Sequence, residues 1–116
     1  VLTPFEIQEA IESAIEELSS LSEQLGVASY ESAKSEADFK VNFAKERLKA
    51  RAEGQEAGSR VTVDTAEDLA TVATEDDRYN HLITSNRLTT LREAIRVKQS
   101  QIEALRTLAA SQRNNP

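Results

Sequence analysis

His81 stands four residues after Asp77, a spacing that puts both side chains on one face of a helix. Such a pair can ligate a metal ion. With a single histidine and no cysteine to complete a ligand set, it reads instead as a surface ion pair. The hydroxyls of Thr84-Ser85 and Thr89-Thr90 have no general base and orienting group near them in sequence, so they do not make a nucleophilic centre. Adjacent carboxylates, Glu16-Glu17 and Asp76-Asp77, point about 100° apart on a helix and read as solvated faces rather than acid–base pairs. Gly54 and Gly58 lie close together, but no Lys-Ser or Lys-Thr pair follows them to make a phosphate-binding loop. These residue types point away from an enzyme and imply no metal and no cofactor.

The cluster with most to offer is Lys45-Glu-Arg-Leu-Lys-Ala-Arg51. On a helix, Lys45 and Lys49 fall on one flank of a stripe centred on Leu48, and Lys40, Arg47 and Arg51 on the other. Two readings follow. In one, the cations pair with Asp64, Glu67, Asp68 and Asp76 of a returning helix. In the other, one flank stays free, and self-association gathers it into a stripe for a nucleic-acid backbone, bound with strong salt dependence and little sequence preference.

The elements that position this cluster are legible from punctuation. No proline occurs between Phe5 and Asn115, and two of three glycines fall in the stretch 54–60. The expected fold is all-α: a first arm over 3–53, a loop over 54–61, a second arm over 62–112 and a frayed tail over 113–116, making one helical domain. Thr3, Pro4 and Glu6 form an N-terminal helix signal. Thr62 or Asp64 can cap the second arm. Ile7, Ile11, Ala14, Leu18, Leu21, Leu25 and Ala28 alternate by four and three, the seam of a coiled coil. After Gly26 a seam in shifted phase is expected through Tyr30, Ala33, Ala37, Val41, Ala44 and Leu48, with a kink near Gly26 or a change of partner. In the second arm, Leu69, Val72, Tyr79 and Ile83 make a weak stripe. Leu88, Leu91, Ile95, Ile102, Leu105 and Ala109 make a stronger one, interrupted at Lys98.

Charge order gives the arrangement. The start of the first arm is acidic and its end basic, whereas the second arm starts acidic and ends basic. Folding back at the loop brings opposite charges together at both ends, so a long antiparallel, coiled-coil-like hairpin is expected. Each exposed pair is worth only about 0.2–1 kcal/mol, enough to choose orientation and register. Two helices cannot bury their seams alone, and a homo-oligomer is the expected remedy.

Composition bounds the class. The chain has 116 residues, net charge −6, 39% hydrophobic and 4% aromatic residues, which suits helix seams better than a cofactor pocket. Absence of cysteine agrees with a reducing compartment. No apolar run approaches the roughly 20 residues of a membrane span. Val1-Leu-Thr-Pro-Phe5 lacks the form of a signal peptide. The absence of methionine suggests that Val1 is a processed end or a rewritten start. A cytoplasmic protein without membrane contact is expected.

The run Leu48-Lys49-Ala50-Arg51 closes a long helix and leads into a glycine-containing polar loop. The returning arm then carries Glu93-Ala-Ile-Arg96 and Gln101-Ile-Glu-Ala-Leu-Arg106. This layout, over roughly residues 30–110, resembles the UvsY family of phage recombination mediators. The resemblance implies a small helical homo-oligomer that binds single-stranded DNA without sequence preference. It also implies partners: a RecA-like recombinase, which such proteins help to load, and the single-strand-binding protein that covers the strand. It assigns DNA binding to Lys49 and Arg51, within the candidate set Lys45, Arg47, Lys49 and Arg51, and assembly to the final helix, at Leu91, Ile95, Ile102 and Leu105. If the chain is phage-encoded, its location is the host cytoplasm. The alternative is a structural or adaptor coiled coil, such as a phage assembly factor or an inhibitor of a host protein, in which every charge serves pairing.

Overall fold

The structure, a computed structural model, describes residues 1–58 and 60–114. Those residues form three helices and no strand: α1 (Pro4–Glu56), α2 (Val63–Ala73) and α3 (Glu75–Asn114). Helix α1 begins as the sequence signals, with Pro4 first and the Glu6 amide donating to Thr3 Oγ1 at 3.2 Å. Helix α2 is capped by Thr62, whose Oγ1 accepts from the Thr65 amide at 3.2 Å.

Three boundaries differ from expectation. The loop does not begin at Gly54, which is helical and buried near the end of α1, and the turn is made at Gly58 with φ +73°. A glycine is favoured there because a Cβ makes that conformation costly. Arg113 and Asn114 are helical rather than frayed, while Ser59, Asn115 and Pro116, parts of the expected loop and tail, lie outside the described residues. The second arm is two helices, because Thr74 interrupts it. Thr74 leaves helical geometry, with φ −109° and ψ 24°, while its amide and hydroxyl both donate to the Ala70 carbonyl, at 3.0 and 2.7 Å, and its own carbonyl accepts from the Arg78 amide at 3.0 Å to start α3. Helix α1, by contrast, runs through Gly26 without a break.

The chain divides into two compact units, residues 1–28 with 87–116, and residues 29–86. In the first, Ile7, Ile11, Ala14 and Ala28 are buried and Leu18, Leu21 and Leu25 half-buried, so the expected seam is built. Its partner face carries Leu88, Leu91, Ile95, Ile102, Leu105 and Ala109. Lys98 occupies a place in this seam instead of interrupting it, with its ammonium on the Glu17 carboxylate. The Gln112 side chain donates to the Leu2 carbonyl at 2.8 Å, so within this unit the early and late segments run antiparallel.

The second unit overturns the shifted seam. On α1 its seam runs through buried Ser32 and Ser35 and half-buried Phe39, Asn42 and Glu46, which keep the four-three phase of the first unit. Tyr30, Val41 and Leu48 are exposed. Opposite lie Ala66, Ala70 and Thr74, then half-buried Asp77, His81 and Thr84, while Leu69, Val72, Tyr79 and Ile83 are exposed. The sequence predicts an apolar seam, whereas this one combines Phe39 and alanines with hydrogen bonds across it. Ser35 Oγ meets Thr84 Oγ1 at 2.6 Å, and the Asn42 amide donates to Asp77 at 3.0 Å. Small side chains at Ala66 and Ala70, fully buried, allow the backbones to approach.

Candidate nucleic-acid interface

The basic cluster lies on the last turns of α1, in the second unit. Lys45, Lys49 and Arg51 are exposed and Arg47 is half-buried. Three- and four-residue spacing sets Lys45 and Lys49 on one side of Leu48, and Lys40, Arg47 and Arg51 on the other. Among the described residues, none of Lys45, Arg47, Lys49 and Arg51 makes an ion pair, and none of Asp64, Glu67, Asp68 and Asp76 receives one. The expected intramolecular pairing of these groups is absent there. Lys40 is engaged locally instead. Its ammonium lies 2.8 Å from Glu36, and that hydrogen bond and charge hold the Glu36 carboxyl below its ordinary pKa.

Beside the cluster, Phe39 and Phe43 pack edge to face, with ring centroids 6.2 Å apart. With Lys40, Ala44 and Arg47 they line a shallow depression of about 270 Å³. These rings escaped the sequence reading, although their four-residue spacing on one helix face was a signal for them. The Phe39 ring also lies 6.3 Å from that of His81. His81 is not paired with Asp77 as expected: its buried Nδ1 has no hydrogen-bond partner among the described residues, and Asp77 accepts from Asn42. Among the described residues, no group of acids and histidine is arranged to hold a metal ion.

The candidate assembly residues sit in the first unit. Leu91 and Ile102 are buried within the chain's own fold, and Ile95 and Leu105 are half-buried. No helix of the described residues is long and apolar enough to cross a membrane.

Comparisons with protein-family models, with curated proteins and with solved structures find no match. The functional reading therefore rests on the chain's own residues.

Proposed function

We propose that the chain is a non-enzymatic, homo-oligomeric helical hairpin of the cytoplasm that binds single-stranded DNA through the basic end of α1. The observation that carries the reading is the absence, among the described residues, of any ion pair on Lys45, Arg47, Lys49 and Arg51, although acidic residues are plentiful in the same unit. A cation left without a protein partner keeps its charge available for phosphate, and a row of them releases condensed counterions when a strand binds. The net charge of −6 calls for a focused patch rather than a dispersed basic surface. The antiparallel order of contacts within each unit supports the hairpin. In keeping with the resemblance to recombination mediators, the bound strand is offered to a RecA-like recombinase in competition with single-strand-binding protein. Leu91, Ile95, Ile102 and Leu105 then support assembly by holding the unit from which the oligomer is built.

The experiment is fluorescence anisotropy of a labelled oligonucleotide of mixed sequence, at low and at moderate salt. Tight binding that weakens steeply with salt and ignores sequence is expected. No binding at low salt would leave a structural or adaptor coiled coil, a reading favoured by the exposed apolar residues of the second unit.

A further inference from the structure

Apart from half-buried Phe39, the seam of the second unit holds polar residues and alanine, and lines of large apolar side chains stand outside it. Tyr30, Val41 and Leu48 are 70%, 52% and 63% exposed. They follow helical spacing, with Ala37 and Ala44 between them, on the side of α1 away from the seam. Leu69, Val72, Tyr79 and Ile83 form a second such line on α2 and α3, with Val72 at 74% and Tyr79 at 67% exposed. Because each line faces away from the shared seam, the two lie on opposite sides of this unit.

We propose that the α1 line of one copy docks antiparallel on the α2–α3 line of a second copy of this chain. Charge selects this occupant. In antiparallel alignment Leu48 comes level with Leu69, and like flanks of the two lines face one another. That sets Arg47 and Arg51 opposite Asp68 and Asp64, all four without an ion pair among the described residues. Pairing α1 with α1 would offer Arg47 and Arg51 no such acids: in antiparallel alignment the facing flank near residues 27–31 carries none, and in parallel it carries Lys45 and Lys49. The contact joins two different faces, so each copy keeps one face of each kind open, and the assembly propagates into a ring or filament rather than stopping at a dimer. Lys45 and Lys49 lie on the other flank, away from Asp64 and Asp68. The contact is independent of DNA and is tested without it.

The test is the particle mass in solution by multi-angle light scattering, with circular dichroism as the control for folding. The parent is expected to exceed the 12.8 kDa of one chain several-fold. Leu48→Glu, at an exposed position, should keep its helicity and fall towards the single-chain mass. Arg47→Glu and Asp68→Lys should each assemble poorly alone. Their equimolar mixture should recover the parental mass, because every mixed contact then joins opposite charges. A single-chain parent, an unchanged mass in Leu48→Glu, or a mixture no larger than its components would each overturn the proposal.

Discussion

Ser35 and Thr84 show how a polar seam is held. Each hydroxyl has one proton, and each also approaches a backbone carbonyl, that of Ser32 at 3.0 Å and that of His81 at 3.0 Å. One proton must therefore bridge the two oxygens while the other serves its own helix. Ser35→Ala should cost about 1 kcal/mol in urea denaturation, since it leaves Thr84 with a lost partner. The double change with Thr84→Val should cost less than the sum of the two single changes. Strict additivity would mean that the contact carries no coupling. Glu36 offers a pH test at the same scale. Its lowered pKa means that the pair with Lys40 is present above the ordinary carboxylate range and is lost as pH falls through the lowered value. Followed by NMR, the Glu36 carboxyl should titrate below its ordinary value, and Lys40→Ala should return it there. No movement in that variant would assign the shift to another cause.

Among the helices, starts were easy to read and seams were not. Thr3-Pro4 and Thr62 announce their helices because a cap is a local bond within one turn. The seam of the first unit was legible because its apolar residues are also its buried ones. In the second unit the apolar line and the buried line are different faces of the same helices. Hydropathy follows the first, and only the partner helix reveals the second. Thr74 was missed for a related reason, since threonine is common in helices and its departure from helical dihedrals carries no sequence signal. The two glycines with open space around them should respond oppositely to alanine. Gly26→Ala, inside α1, should raise stability by about 0.5–1 kcal/mol. Gly58→Ala, at positive φ, should lower it by about 1–2 kcal/mol. Thermal melts of the two variants check both signs, and equal shifts would contradict the assignment of the turn to Gly58.

For the whole molecule, the proposed contact would take Arg47 and Arg51 at the basic end of α1 and leave Lys45 and Lys49 for the nucleic acid of the proposed function. The candidate cations were legible in the sequence as a cluster, but their freedom from intramolecular pairing was not. Charge order predicts orientation at the scale of whole arms, whereas an ion pair depends on where individual side chains fall around each helix. The most direct test of the central claim is the salt dependence of single-stranded DNA binding by the parent and by Lys45→Ala/Lys49→Ala. Alanine preserves the helix. Loss of two phosphate contacts should weaken binding at low salt and reduce the slope of log K against log salt by about 1.4 per protomer. Unchanged affinity and slope, in a variant of parental helicity and particle mass, would contradict it.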